Sequence, residues 1–307
     1  MINICFMGTP KFALDTLKAL DENEDINVKL VVTAQDKKRN RNKVTPTIIK
    51  EYALEKNIEC VTPKSVNNDE FIEFLDSKEI DFIVVVAFGQ LIGKKLLEKY
   101  PDRIINLHPS DLPKYRGASP IQYTLLNGEE TTKATTMLIE KGMDSGDILL
   151  QREQEILKDD DFESLSLKLS KLGGQMMVDT LLDFDNLYKN RQKQDDSKAT
   201  FTNKITKEEG LINWNENGDD IINKWRAFKQ FPKVYFNYND KNIKIDDLKF
   251  EKLSNTNPGF VRYKKDKIGI DCKDGVIIIG KIQIPGKKMI DSKSFLLGHS
   301  LDMKFID

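Results

Sequence analysis

Cysteine, histidine and long apolar runs are all scarce in this 307-residue sequence. The three cysteines lie far apart, form no Cys-x-x-Cys pair and match no metal-ligand spacing, so the sequence predicts neither a disulfide framework nor a structural zinc site. No apolar stretch reaches the roughly 18 residues that a membrane-spanning helix needs. We therefore expect a protein of the reducing cytoplasm that binds no metal and no membrane.

An excess of charge of one sign is also missing. The formal net charge is −1 at pH 7, so no overall field draws the whole chain towards nucleic acid or a membrane surface. Hydrophobic residues make up 39% of the chain and charged residues 32%, which is typical of a globular protein with a substantial core. The length suits two domains, and we expect a monomer.

The first half of the chain alternates short apolar runs with stretches of helical period. A glycine turn follows the first run, but the Gly-x-Gly-x-x-Gly pattern of dinucleotide-binding proteins is absent, so no dinucleotide is predicted. Strands that alternate with helices favour an α/β fold with a Rossmann-like, doubly wound, mostly parallel sheet. The predicted strands are residues 2–7, 28–33, 59–61, 81–86, 104–107, 135–138 and 148–150.

The second half has a different pattern. A polar stretch at residues 190–199 is typical of a linker, and several short strands separated by Gly, Asn and Pro turns follow it. This spacing predicts a small C-terminal β-barrel of the OB-like kind. We expect a first domain at residues 1–189, a linker at 190–204 and a second domain at 205–307. The predicted C-terminal strands are residues 234–238, 243–250, 260–263, 268–272 and 276–284.

Two polar side chains stand at the end of the predicted strand at residues 104–107. Pro109 disfavours continuation of the strand, so it ends at His108, and Asn106 projects from the same face two residues earlier. The carboxyl ends of strands are where open α/β sheets bind ligands. Asp144 follows in a Gly-flanked loop after the next strand. A histidine at a strand end and an aspartate in a turn are both often structural, so this pattern alone leaves a structural role open.

A strongly basic segment, residues 35–43, follows the second predicted strand. Five of its nine residues are Lys or Arg and none is apolar, which predicts a solvated loop. The loop would lie at the same carboxyl edge as His108, and cations at the rim of a site favour a polyanionic substrate.

Several motifs together resemble the folate-dependent formyltransferases. In the first half these are residues 6–10 (Phe-Met-Gly-Thr-Pro), 106–110 (Asn-Leu-His-Pro-Ser), 116–118 (Arg-Gly-Ala) and 142–148 (Gly-Met-Asp-Ser-Gly-Asp-Ile). In the second half, residues 211–214 (Leu-Ile-Asn-Trp) and 225–228 (Trp-Arg-Ala-Phe) are similar to the methionyl-tRNA branch of that family. The resemblance covers nearly the whole chain.

The resemblance implies a transferase and a set of site residues. The reaction would move the formyl group of 10-formyltetrahydrofolate to the amino group of methionyl initiator tRNA, for translation initiation, without a metal. The implied catalytic residues are Asn106, His108 and Asp144. The implied folate-binding residues are Ser110, Asp111, Leu112 and Pro113, with Asp111 in place of the family's leucine. The implied tRNA-binding residues are Arg41, with Arg39 as the fallback, and Lys43.

Other functions share parts of this pattern. A nucleotide-sugar formyltransferase or a formyltetrahydrofolate hydrolase would carry the same three catalytic residues, and a non-catalytic RNA- or folate-binding protein could keep the fold. The basic segment and the C-terminal motifs favour tRNA. Clustered lysines at residues 264–267 and 287–288 extend that expectation to the second domain, although a solvated surface is the better explanation for each lysine taken alone.

Overall fold

The computed structural model describes residues 1–39, 43–264, 266–299 and 301, with the backbone alone at residues 37–39, 43, 44 and 264. The chain divides into two compact units. The first unit consists of Met1–Pro120, Thr131–Glu155 and Ser166–Thr202. The second unit consists of Ile121–Glu130, Ile156–Leu165 and the chain from Asn203 onward, so two short segments of the first half belong to it.

All seven strands predicted for the first half are present in the first unit, two of them several residues longer than predicted, and four short strands were not predicted. The strands of this unit are β1 (Ile2–Gly8), β2 (Ile26–Val32), β3 (Lys37–Arg39), β4 (Lys43–Thr45), β5 (Cys60–Val61), β6 (Phe82–Val86), β7 (Ile104–His108), β8 (Arg116–Gly117), β9 (Thr131–Leu138), β10 (Ile148–Glu155) and β11 (Phe201–Thr202). Seven of them form one sheet in the order β10-β9-β7-β6-β1-β2-β5. The five strands from β7 to β5 are parallel, whereas β9 is antiparallel to β7 and β10 is antiparallel to β9.

Helices connect the parallel strands, and polar side chains cap the N-termini of two of these helices. The helices of the described ranges are α1 (Leu14–Asp21), α2 (Ile48–Glu55), α3 (Asp69–Asp76), α4 (Lys94–Lys99), α5 (Pro120–Leu126), α6 (Phe162–Leu182), α7 (Phe184–Lys189), α8 (Gly218–Ala227) and α9 (Ser292–Leu296). Thr47 caps α2 by accepting a hydrogen bond from the Lys50 amide, and Asn68 caps α3 in the same way. None of these helices combines the length and apolar character that a membrane crossing requires.

The core of the first unit lies between the sheet and the flanking helices. Met7, Leu30 and Ile83 belong to one buried cluster with Leu75 of α3 and Leu96 of α4. Strand β6 is buried along its whole length, as expected for a central parallel strand covered on both faces. Strand β7 joins this cluster through its first residue.

The basic segment is not the irregular loop that its composition predicts. Strands β3 and β4 form an antiparallel hairpin in which Lys37 pairs with Thr45 and Arg39 pairs with Lys43. The hairpin follows the carboxyl end of β2, at the predicted edge of the sheet. Backbone hydrogen bonds can form such a hairpin without apolar side chains, which explains why the hydrophobic pattern does not reveal it.

The second unit contains an antiparallel sheet. Its strands are β12 (Tyr235–Tyr238), β13 (Lys241–Lys252), β14 (Val261–Lys264), β15 (Lys267–Cys272), β16 (Gly275–Gln283) and β17 (Ile290–Asp291). The order is β12-β13-β16-β15-β14, with β17 paired to β16. Ile268 and Ile270 of β15 and Ile277 and Ile279 of β16 are buried on one face. The predicted fold class, a Rossmann-like sheet followed by a small β domain, is confirmed, and the second sheet has a curled, half-barrel form.

Candidate active site

Strand β7 presents Asn106 and His108 near its carboxyl end. Asn106 lies opposite Val85 and Met137 of the neighbouring strands and is half-buried. Within the described part of the chain its side-chain amide has no hydrogen-bond partner, so it is available to a ligand. His108 is only 5% exposed. The structure therefore brings the amide and the imidazole to the same end of one strand, as predicted.

The imidazole of His108 has a defined hydrogen-bonding state. Its Nε2 lies 2.9 Å from the backbone carbonyl oxygen of Tyr115. Because a carbonyl oxygen can only accept, Nε2 must carry the proton and donate it, which leaves Nδ1 as the basic atom of the neutral ring. Tyr115 has φ of 62°, and its amide donates to Thr200 Oγ1 at 2.8 Å, which fixes the orientation of this peptide segment.

Asp144 faces the basic atom of His108. Its Oδ2 lies 3.7 Å from His108 Nδ1, which is too far for a hydrogen bond but close enough to stabilise a positive charge on the ring. The same oxygen accepts a hydrogen bond from the Gly117 amide at 2.7 Å. The loop between β9 and β10 places the carboxylate there, with φ of 48° at Asp144 itself. Asp144 is thus held by the backbone of the segment that follows His108.

The predicted folate-binding residues form a loop that is anchored from the sheet. Thr135 Oγ1 donates to the carbonyl oxygen of Ser110 at 2.7 Å, and Gln151 Nε2 donates to that of Leu112 at 3.1 Å. The Leu112 side chain is buried in a small cluster with Met137 and Ile148. These contacts fix the loop next to His108 through the backbone.

Asp111, which replaces the family's leucine, makes an ion pair. Its Oδ1 lies 2.9 Å from Lys133 Nζ of β9. Both side chains are about one-third exposed, so the pair contributes little to stability. The carboxylate is therefore partly neutralised at the edge of the loop.

The predicted tRNA-binding residues cannot be placed in the same detail. Arg41 lies outside the described residues, and Arg39 and Lys43 are described by their backbone in the β3–β4 hairpin. The hairpin follows the carboxyl end of β2, whereas His108 stands at the carboxyl end of β7 in the same parallel set. Their contact with tRNA stays a prediction.

Sequence reasoning missed the residues that hold the site together. Tyr115 contacts His108 from seven residues away. Thr135, Gln151 and Thr200 contact backbone groups that lie 25, 39 and 85 residues away in the sequence. No local pattern marks such contacts, since any small hydroxyl or amide side chain on a strand or loop would look the same. They become visible only once the chain after β7 folds back on His108 and residues of β9, β10 and the segment before β11 contact it.

The three cysteines are buried or half-buried. Burial raises the pKa of the Cys60 thiol to about 11, and burial also raises the pKa of the Cys5 thiol, so both stay protonated at neutral pH. Among the described residues no group of three His, Cys, Asp or Glu side chains could hold a metal ion.

Comparison with known proteins gives one family for both halves of the chain. Residues 2–181 match the family described as Formyl transferase, and residues 204–300 match Formyl transferase, C-terminal domain. A methionyl-tRNA formyltransferase from Finegoldia magna is 40% identical over 301 residues, which cover 97% of each chain. The likeness therefore extends over both units.

Solved structures share the fold at lower identity. A methionyl-tRNA formyltransferase from Clostridium thermocellum is 20% identical with a TM-score of 0.58, over 92% of this chain and 99% of that one. An N-formyltransferase from Helicobacter canadensis, in complex with folinic acid and dTDP-3-aminofucose, is 21% identical with a TM-score of 0.66, over 91% of this chain and 98% of that one. At these identities the likeness supports the fold alone.

Proposed function

The chain belongs to the formyl transferase family, and on that premise we propose that it moves the formyl group of 10-formyltetrahydrofolate to the amino group of methionyl initiator tRNA. The observation that carries this proposal is the 40% identity with a methionyl-tRNA formyltransferase over 97% of both chains. The site geometry supports it, because an available amide, a basic imidazole nitrogen and a carboxylate stand together at the carboxyl end of the sheet.

Asn106 would stabilise charge on the formyl oxygen. When the amine nitrogen attacks the formyl carbon, the carbonyl oxygen gains negative charge, and a nearby amide N–H can donate a hydrogen bond to it. The half-buried Asn106 side chain has no competing partner among the described residues. Its donor groups therefore need not break a hydrogen bond to these residues before they act.

His108 and Asp144 would move and stabilise the proton. His108 Nδ1 takes the proton that the amine loses as the new carbon–nitrogen bond forms, and returns it to the folate nitrogen as the old bond breaks. The ring is positively charged between these two events, and the Asp144 carboxylate 3.7 Å away favours that state. The Tyr115 carbonyl accepts from Nε2 throughout, so the ring keeps its orientation.

The two substrates would approach the site from defined parts of the chain. Ser110, Asp111, Leu112 and Pro113 would contact the folate, chiefly through the anchored backbone. Arg39 and Lys43 of the hairpin and Arg41 of the same basic segment would contact the acceptor stem, where phosphates are dense. Folate is a co-substrate here, and no step of this chemistry needs a metal.

The domain assignment follows the same proposal. Residues 1–189 would form the catalytic domain, 190–204 the linker and 205–307 a tRNA-binding domain. The C-terminal match at residues 204–300 supports a separate second domain in this position. We also propose that the protein acts as a monomer in the cytoplasm, in translation initiation.

A direct assay distinguishes this function from its alternatives. The protein is incubated with labelled formylfolate and, in parallel, with charged initiator tRNA, charged elongator tRNA and amino sugars linked to nucleotides. We expect label on the initiator methionyl-tRNA, at least tenfold faster than on the other acceptors, a preference of about 1.4 kcal/mol or more. The His108→Ala variant provides the background rate. Label on a sugar amine, or release of formate without an acceptor, would replace the proposal by one of its rivals.

A further inference from the structure

Gln194 uses its whole side-chain amide to join two parts of the candidate active site. Its Nε2 donates to the carbonyl oxygens of Asp144 at 2.9 Å and of Gly146 at 2.8 Å. Its Oε1 accepts from Arg116 Nε at 3.0 Å. Both amide hydrogens and the amide oxygen are therefore occupied, and the side chain is half-buried.

Gln194 contacts both chain segments that are joined by the hydrogen bond to the Asp144 carboxylate. Asp144 Oδ2 accepts from the Gly117 amide, which follows Arg116 directly. Gln194 thus holds the Asp144 backbone with one end of its amide and the Arg116 side chain with the other. Asp144 also has φ of 48°, in the left-handed region that aspartate visits more readily than most residues but less readily than glycine. The two hydrogen bonds to the carbonyl groups of Asp144 and Gly146 hold this stretch of backbone on either side of Ser145.

Gln194 is itself held in place by its neighbours in the chain. Gln192 and Ile148 exchange two backbone hydrogen bonds, at 2.8 and 2.9 Å. Arg191 Nε lies 2.9 Å from Asp147 Oδ2, and an Asp196 oxygen lies 2.8 Å from the Arg116 guanidinium. The stretch that the sequence predicts as a polar linker is therefore bound along the start of β10, next to the Asp144 loop.

We propose that Gln194 is a positioning residue for Asp144 and sets the distance between its carboxylate and His108. This inference rests on the proposed function insofar as Asp144 assists formyl transfer. Loss of the two donor hydrogen bonds would let the Asp144 loop relax, and a displacement of about 1 Å can lower a rate by about 100-fold.

The first test replaces Gln194 by methionine. Gln194→Met keeps the length of the side chain, removes both donors, and places its terminal methyl group at the position of Nε2, which lies 3.9 Å from Met137 Sδ. Gln192→Met is the matched control, because Gln192 contacts Ile148 through its backbone. We expect kcat to fall about 10- to 100-fold in Gln194→Met, with little change in the KM for formylfolate, and to stay normal in Gln192→Met. Equal kcat in the two variants overturns the proposal.

A second variant separates the two ends of the amide. Gln194→Glu keeps an oxygen for Arg116 but turns a second oxygen, with negative charge, towards the Asp144 and Gly146 carbonyls. We expect kcat to fall at least as far as in Gln194→Met. Normal kcat in Gln194→Glu would show that the Arg116 contact is sufficient, and the positioning of Asp144 by Gln194 would be wrong.

A third measurement needs no substrate. The chain has two histidines, so the ring signals of His108 can be assigned by NMR with a His299→Gln variant. We expect the His108 signals to move in Gln194→Met and to stay in Gln192→Met, because the carboxylate near Nδ1 is displaced. If the parent protein transfers no formyl group, the proposed function fails, and this comparison still decides whether Gln194 positions Asp144. Unchanged His108 signals in a folded Gln194→Met variant would contradict the inference.

Discussion

The Gly117 amide donates a hydrogen bond to Asp144 Oδ2 at 2.7 Å, whereas His108 Nδ1 stands 3.7 Å from the same oxygen. The carboxylate therefore has its hydrogen bond to the backbone and only a charge contact with the imidazole. Such a carboxylate stabilises a protonated ring without fixing its tautomer, and the tautomer is determined by the Tyr115 carbonyl instead. The Tyr115 carbonyl thus orients the imidazole of His108, and the Asp144 carboxylate stabilises its positive charge.

The first prediction is that Gly117→Ala lowers kcat by about 10- to 100-fold. Gly117 has φ of 116°, and a Cβ there would lie 2.3 Å from the Thr202 carbonyl oxygen, so the amide must move away from Asp144. Single-turnover formyl transfer measures the effect. Gly286→Ala is the control, because Gly286 also has positive φ, at 76°, but no heavy atom lies within 4 Å of a Cβ there. Equal rates in the two variants would mean that the Gly117 bond does not matter.

The second prediction concerns the two polar residues of β7. Asn106→Ala and His108→Ala should each lower kcat by about 100-fold or more, with smaller effects on tRNA binding, because each removes an interaction made in the transition state. His299→Ala, at an exposed histidine of the second unit, should leave turnover unchanged. Rates within a factor of a few of the parent in both β7 variants would refute their catalytic assignment.

The sequence predicts the parts of the fold that depend on local apolar pattern. Strands such as β1 and β6 are nearly continuous apolar runs, so their position and their buried, parallel character follow from composition. The direction of β9 does not follow, because an isolated strand pattern is the same in both directions. The β3–β4 hairpin was missed for a related reason, since its basic residues give no apolar alternation.

In the candidate site, too, some residues can be predicted from local sequence pattern and others depend on tertiary packing. Asn106, His108 and Asp144 are identified by motif, and by their place near the end of a strand or in the loop after one. Gln194 lies 50 residues beyond Asp144 in a polar stretch, and its role depends on a backbone pairing between Gln192 and Ile148. Contacts at this separation arise from tertiary packing, and no propensity or period in the sequence encodes them.

The third prediction tests the basic segment, residues 35–43, as the tRNA-discriminating element. Arg41→Lys should lower catalytic efficiency with initiator tRNA by a factor corresponding to about 1–3 kcal/mol, because lysine keeps the charge but cannot reproduce the planar hydrogen bonding of arginine. Lys37→Ala should lose less, and folate binding should be unchanged in both. The same measurement on Arg39→Lys checks which arginine matters. If Arg39→Lys is the impaired variant, Arg39 replaces Arg41, and if none is impaired, discrimination lies elsewhere.

The last prediction concerns pH and the stability of the second unit. Asp246 Oδ1 accepts hydrogen bonds from Trp225 Nε1 at 2.7 Å, Lys229 Nζ at 2.8 Å and the Asp247 amide at 2.8 Å. Burial raises the pKa of Asp246, but the hydrogen bonds from Lys229 and Trp225 outweigh it, so the pKa lies below its ordinary value of 3.8. The folded protein therefore favours the ionised carboxylate more than the unfolded chain does.

The lowered pKa of Asp246 determines how the free energy of unfolding changes with pH. The stabilisation is fully present above about pH 5 and is lost as the pH falls below the ordinary pKa towards the folded value. Asp246→Asn should thus lower the free energy of unfolding by about 1–3 kcal/mol at pH 7, and its difference from the parent should shrink at pH 3.

Urea unfolding followed by tryptophan fluorescence measures this difference, because both tryptophans, Trp214 and Trp225, lie in the second unit. Glu251→Gln, at an exposed position on the same strand, should show no such dependence. A difference between Asp246→Asn and the parent that stays constant from pH 7 to pH 3 would show that the charge of Asp246 does not stabilise the fold.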